Sequence, residues 1–182
     1  MKRFFAVALV LACAAGAYAQ RAPAGKVGTF RFEDKREGHT SRLVFGTGAF
    51  EPSRHRITFG KPSDPMYLKV DGRGAFGVDG NTPRTEIKSV EFYFDGRRVA
   101  VPRGLYSDCF NPNFGADYFA VKNGDDSASV LVFMAGGDAA GSYQVIWVLR
   151  KDGRHSRFTN PCSDCDYRGL MTFFIDQFAP RP

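Results

Sequence analysis

Hydrophobic and polar residues alternate with a period of two along much of the chain, which is the pattern of half-buried β-strands. Two segments depart from it, Val130–Met134 and Val145–Leu149, because both of their alternating faces are apolar. Both are short, rich in β-branched and aromatic residues, and followed or preceded by glycine, so a buried helix is the weaker alternative. We therefore expect them to be central strands of a sheet that is covered on both sides.

The Asp95-Gly96 step predicts a tight β-hairpin, because a type I′ turn requires positive φ at both central residues. This turn would pair Phe92 with Val99 and Val90 with Val101 on an apolar face. The opposite, polar face would carry the pairs Glu91–Ala100 and Tyr93–Arg98, the second of them a cation–π contact.

A second Asp-Gly step, Asp152-Gly153, predicts a hairpin of the same kind. Its register would place Trp147 opposite Phe158 on a core face that also carries Tyr143 and Val145. The same register would pair Lys151 with Arg154 and Leu149 with Ser156. The other face would carry Ile146, Val148 and Arg150, with His155 and Arg157 on the partner strand.

Further strand patterns are separated by turns that contain glycine, proline or aspartate. They lie at Thr29–Glu33, His39–Phe45, Arg56–Phe59, Tyr67–Val70, Tyr118–Val121 and Leu170–Phe178. A turn centred on Gly124-Asp125 would pair Phe119 with Val130. About nine or ten strands with almost no helical periodicity predict an all-β fold, an antiparallel sandwich or a partly closed barrel, formed by a single domain over residues 27–182.

The first 19 residues have the features of a secretory signal peptide. Lys2 and Arg3 precede an apolar run, and Ala17-Tyr18-Ala19 forms a small-x-small cleavage site. Residues 20–26 are expected to be a flexible leader. In the alternative interpretation Cys13 is the lipidated cysteine of an exported lipoprotein. No later stretch reaches 18 consecutive apolar residues, so we expect an extracellular or periplasmic protein without a transmembrane segment.

The charge of the chain is mildly basic. Lys and Arg number 25 against 19 Asp and Glu, a formal net charge of +6, and loss of the two basic residues of the leader reduces it to +4. Together with the export signal, this modest excess argues against a nucleic-acid partner.

Three cysteines remain in the exported chain, Cys109, Cys162 and Cys165. In an oxidising compartment a disulfide is the default expectation, and a bridge from Cys109 to either of the others closes the longer loop. A thioredoxin-like redox pair lacks its βαβ context, and a zinc site would need Cys109 and His155 as further ligands. We therefore expect structural cysteines, with no metal and no cofactor.

Basic residues concentrate at the two predicted hairpin ends. One cluster comprises Arg150, Lys151, Arg154, His155 and Arg157, and the other comprises Arg97 and Arg98 with Arg103 close behind them in sequence. They predict a non-catalytic binding domain whose partner is an anionic glycan, an envelope component or a protein, although solvated hairpin ends have the same composition. The alternative is a small secreted hydrolase with its site near the Cys162–Asp166 loop and His155. His39 and His55 belong to no catalytic motif and are expected to be structural.

Overall fold

The computed structural model describes residues 27–36, 38–61, 63, 68–124, 128–137 and 141–161. Twelve strands lie in this part of the chain: β1 Gly28–Arg36, β2 His39–Ala49, β3 Ile57–Phe59, β4 Leu68–Val70, β5 Arg73–Gly74, β6 Thr85–Phe94, β7 Arg97–Val99, β8 Pro112–Asn113, β9 Phe119–Asn123, β10 Ser129–Gly136, β11 Tyr143–Arg150 and β12 His155–Pro161. Two 3-10 turns, Pro52–Arg54 and Arg103–Leu105, also lie in this part of the chain. The predicted signal peptide, the leader and the predicted strand Leu170–Phe178 lie outside the described residues.

The strands form three antiparallel sheets, which confirms the predicted all-β antiparallel fold. The first sheet has the order β1-β2-β6-β7, and the second has the order β12-β11-β10-β8 with β9 also paired to β10. Strands β3, β4 and β5 form a small third sheet. The first two sheets share one core, in which Phe45 of β2 stacks on Trp147 of β11 with ring centroids 5.8 Å apart. The two large sheets therefore pack face to face, as in a β-sandwich.

The prediction that β10 and β11 are central strands is confirmed. All eight residues of β10 are buried. Val130, Val132 and Met134 face the shared core, whereas Leu131 and Phe133 belong to a separate buried cluster on the opposite face. Two apolar faces in the sequence thus correspond to a strand covered on both sides.

The Asp95-Gly96 hairpin forms as predicted. Asp95 has φ +47° and Gly96 has φ +78°, and Phe92 pairs with Val99. Tyr93 pairs with Arg98, as predicted. The cation–π contact is made by a different arginine, since the Arg42 guanidinium of β2 lies 4.3 Å from the centre of the Tyr93 ring.

Pairing of β6 with β7 ends earlier than the sequence predicts. Beyond Phe92–Val99 the predicted pairs Val90–Val101 and Glu91–Ala100 are not formed. Pro102 has no N–H to continue the ladder, and its carbonyl accepts the first hydrogen bond of the 3-10 turn, from Leu105 N–H at 3.0 Å. The turn leads the chain away from β6.

The predicted register of the Asp152-Gly153 hairpin is wrong by one residue. Arg150 N–H donates to Arg154 O at 2.9 Å across a three-residue loop in which Gly153 alone has a positive φ, +89°. Trp147 consequently pairs with Arg157, and Phe158 pairs with Ile146. Asp-Gly fits both a two-residue turn and a three-residue loop with a glycine bulge, so the local sequence cannot choose between them.

This shift separates Trp147 from Phe158. Trp147 is fully buried, whereas 62% of Phe158 is exposed on the opposite face of the hairpin. The predicted core face of β11 is correct, because Tyr143 and Val145 are buried with Trp147. The predicted inner and outer faces of β12 are exchanged in the structure.

The predicted pairing of Phe119 with Val130 is also wrong, because Phe119 pairs with Met134. Strand β9 extends to Asn123, whose N–H donates to the Asp34 carboxylate of β1 at 2.7 Å. This contact anchors β9 beside β1 and leaves a longer connection to β10 than a two-residue turn.

Candidate functional site

The tip of the β11–β12 hairpin carries most of the predicted basic cluster. Lys151, Arg154 and His155 are exposed there, and Arg150 is half-buried. Arg150, Arg154 and His155 line a wide depression of about 710 Å³, together with Asp152, Gly153 and Ser156. Three of the five predicted basic residues thus share one surface at the tip, and Lys151 lies next to it in the turn.

An aspartate in the turn organises this tip. Asp152 Oδ1 accepts a hydrogen bond from the Arg154 backbone N–H at 2.9 Å, and Oδ2 accepts one from Arg154 Nε at 2.7 Å. These two hydrogen bonds hold the pKa of Asp152 below its ordinary value. The Arg154 side chain remains 78% exposed, so this ion pair leaves it accessible to a ligand.

The second predicted basic cluster lies at the same end of the sandwich. Arg97 and Arg98 are exposed in β7, just after the Asp95-Gly96 turn. The Lys151 ammonium reaches across from the other sheet to 6.0 Å from the centre of the Phe94 ring, and Phe94 pairs with Arg97. The two hairpins are 50 or more residues apart in sequence, and the fold makes them neighbours.

Arg157 does not belong to this surface. Because of the register shift it lies on the inner face, where its Nη1 donates to Asp108 Oδ1 at 2.6 Å and its guanidinium lies 5.5 Å from the Phe76 ring. Asp108 also accepts a hydrogen bond from Arg73 Nη2 at 2.6 Å. The side chain of Arg157 is only 14% exposed, so its role is to hold the 103–109 segment against β12.

Cys109 is a free, buried thiol in the structure, so the bridge that the sequence predicts from this cysteine is not present. Burial raises the pKa of the Cys109 thiol, and the nearby Arg157 only partly opposes this. A thiol that stays protonated is a poor nucleophile and a poor metal ligand. Cys162 and Cys165 lie outside the described residues, so a bridge between them stays a prediction.

Two histidines form a repeated arrangement that the sequence analysis missed, and we name it the His–Asp clamp. In the first, His39 Nδ1 lies 2.7 Å from Asp95 Oδ2 and the N–H of the next residue, Thr40, donates to Asp95 Oδ1 at 2.8 Å. Asp95 N–H donates back to Thr40 O at 2.8 Å. An Asp-Gly turn thus binds a His-x dipeptide through its backbone and its carboxylate together.

The second clamp repeats this pattern at another Asp-Gly turn, which connects β4 to β5. Asp71 has φ +54°, its Oδ2 lies 2.8 Å from His55 Nδ1, and its Oδ1 accepts from Arg56 N–H at 3.0 Å. The partners are 16 residues apart in this clamp and 56 in the first. Spacing alone therefore gave no signal for either.

The His55 side chain also contacts the first sheet. Its Nε2 lies 3.3 Å from the buried Glu86 carboxylate of β6, which also accepts from Lys88 Nζ at 2.5 Å. The imidazole stacks on Phe50 with ring centroids 4.6 Å apart, and only 7% of its side chain is exposed. A histidine enclosed in this way connects the third sheet to β6 and is closed to a substrate.

Acid is expected to weaken both clamps. Hydrogen bonds from His55 and from Arg56 N–H lower the pKa of Asp71, and hydrogen bonds from Thr40 N–H and His39 lower the pKa of Asp95. A lowered folded-state pKa means stabilisation that is present above about pH 4 and is lost as the pH falls through the folded value. The urea midpoint of the native protein should therefore exceed those of Asp71→Asn and Asp95→Asn at pH 5.5, and the difference should shrink at pH 3. A difference that is the same at both pH values would contradict this.

His155 shows no catalytic partner at the tip. Its Nδ1 lies 3.3 Å from Gly153 O, and no group of three or more His, Cys, Asp or Glu side chains suited to a metal ion occurs within the described ranges. The Cys162–Asp166 loop of the alternative hydrolase site lies outside those ranges. That alternative stays a prediction.

The fold and its exposed end define an antiparallel all-β domain with a basic surface made by two hairpins. No helix in the described part of the chain is long and apolar enough to cross a membrane. Comparison with family models, curated proteins and solved structures finds no match for this chain.

Proposed function

We propose that this protein is an exported, non-catalytic domain that binds an anionic glycan through the basic end of its sandwich. The observation that carries the proposal is the contact of Lys151 with Phe94, because it joins the basic tip of β11–β12 to Arg97 and Arg98 of β7. Exposed cations gathered at one end of the sandwich attract a polyanion.

The shape of the surface supports a polymer rather than a small ligand. The depression at the hairpin tip is wide and shallow, whereas small-molecule sites are concave and largely apolar. An exposed arginine such as Arg154 can approach carboxylate, sulfate or phosphate groups with its planar guanidinium.

The test is salt-dependent binding of the mature protein to acidic polysaccharides. The double variant Lys151→Glu/Arg97→Glu is expected to weaken binding about tenfold or more at low ionic strength, because two attractions become repulsions. Binding by the native protein should also weaken as salt is added. Dissociation constants from biolayer interferometry at two salt concentrations measure both effects.

The matched control is Arg31→Glu/Lys69→Glu. It changes the net charge by the same amount, at exposed positions in the middle of β1 and in β4. We expect this control to bind within about twofold of the native protein. Binding that ignores salt, or that falls equally in both double variants, would refute the proposed site.

A further inference from the structure

The one-residue shift of β12 creates a mixed aromatic and basic surface on the outer face of the hairpin. Side chains alternate along a strand, so Arg154, Ser156 and Phe158 face outwards together. All three are exposed, and Phe158 is 62% exposed. Their cross-strand neighbours on β11 are Arg150, Val148 and Ile146, all half-buried.

We infer that this face, which we call the Phe158 platform, stacks a sugar ring of an acidic polysaccharide while the hairpin tip binds its charged groups. The inference rests on the proposed function and specifies its ligand. Phe158 lies four residues from Arg154, about 13 Å along the strand. A ligand that satisfies both ends must therefore be an extended chain carrying rings as well as anionic groups.

Charge and area together favour a glycan over a protein partner. A stable protein interface buries about 800 Å² on each partner, whereas one phenylalanine offers about 150–250 Å². Ile146 and Val148 are already partly buried against Leu131 and Phe133, so they add little to the apolar surface. A single exposed ring beside cations suits the apolar face of one sugar in an anionic chain.

The experiment separates rings from charges. Four probes are compared at low salt: polygalacturonate and dextran sulfate carry rings with carboxylate or sulfate, polyphosphate carries charge without rings, and dextran carries rings without charge. Phe158→Ala is expected to weaken binding to the acidic polysaccharides about five- to tenfold and to leave polyphosphate binding within about twofold. Whichever of polygalacturonate and dextran sulfate binds more tightly identifies the anionic group.

The matched control is Phe59→Ala, which removes a phenylalanine that is 60% exposed on β3. This variant should bind all probes as the native protein does. If Phe158→Ala lost as much affinity for polyphosphate as for the acidic polysaccharides, or lost none for either, the inference would be overturned.

The same protein variants also test two other possible occupants of this face, a second copy of the chain and a lipid surface. A native dimer that dissociates in Phe158→Ala, measured by light scattering after size exclusion, would assign the ring to self-association. Tighter binding to anionic lipid vesicles than to either acidic polysaccharide would assign it to a membrane surface. Either result overturns the inference.

The outcome also distinguishes this inference from the proposed function. If native protein binds polyanions and Lys151→Glu/Arg97→Glu abolishes this, but Phe158→Ala has no effect, only the platform fails. If no anionic polymer binds at all, both fail.

Discussion

Replacing Asp108 with alanine is expected to lower the free energy of unfolding by about 3 kcal/mol, because it leaves the buried Arg157 guanidinium without its carboxylate partner. Asp108 is 5% exposed and accepts a 2.6 Å hydrogen bond from each of Arg157 and Arg73. The Arg73 side chain, 42% exposed, can turn to solvent when its partner is lost, whereas Arg157 at 14% cannot do so readily. The loss should therefore come mainly from Arg157.

Urea unfolding followed by tryptophan fluorescence measures this effect directly. Trp147 is the single tryptophan of the chain and is fully buried in the shared core. The control is Glu91→Ala, which removes a 3.4 Å ion pair with an Arg98 side chain that is 67% exposed and a 2.9 Å hydrogen bond from the Tyr93 hydroxyl. Exposed ion pairs contribute about 0–1 kcal/mol and a neutral donor's hydrogen bond about 1 kcal/mol, so this variant should lose much less stability than Asp108→Ala.

Equal destabilisation by the two substitutions would show that the Asp108 pairs do not stabilise the fold. If Asp108→Ala does not fold, Asp108→Asn keeps the shape and removes the charge. We expect Asp108→Asn to remain destabilised by more than Glu91→Ala, because the Arg157 charge stays buried without a carboxylate.

Gly77→Ala is expected to destabilise the protein by more than a positive φ alone explains. Gly77 has φ +91°, and a Cβ there would lie 2.1 Å from the Phe110 carbonyl oxygen and 2.9 Å from Tyr143 Cε1. A backbone oxygen cannot rotate away as a flexible side chain can. The backbone around Phe110 must shift, which adds about 1–3 kcal/mol to the cost.

Gly96→Ala isolates the conformational part of this cost. Gly96 has a similar φ of +78°, with no atom within 4 Å of its ideal Cβ position. It should cost about 1–2 kcal/mol, the penalty of a left-handed conformation for a residue with a side chain. The same urea experiment compares the two variants, and equal losses would show that the close approach at Gly77 is not constraining.

The sequence predicted local features that depend on neighbouring residues. The two apolar faces of β10 and β11 correctly indicated central strands, because a strand covered on both sides has few other compositions available. The Asp95-Gly96 turn was correctly predicted because its two residues both adopt the positive φ that this turn requires.

The candidate site was predicted only in part. Lys151 and Arg154 lie at the tip in either register, because they are in or next to the turn. His155 is the first residue of β12 and stays exposed there, although the shift pairs it with Leu149. Arg157 is on the strand itself, so a shift of one residue moved it from the outer surface to the inner face beside Asp108. The same shift exposed Phe158, on which the proposed sugar contact depends.

By itself the sequence determined the class of fold, the central strands and the basic character of two hairpin ends, because each depends on residues close together along the chain. Only the tertiary structure decided the β11–β12 register, the approach of Lys151 to Phe94 and the two His–Asp clamps. Asp152-Gly153 is compatible with two loop lengths, and the buried Arg157–Asp108 pair favours one of them. Contacts of this kind join residues far apart in sequence, so their free energy has no local signature that alternation or turn composition could reveal.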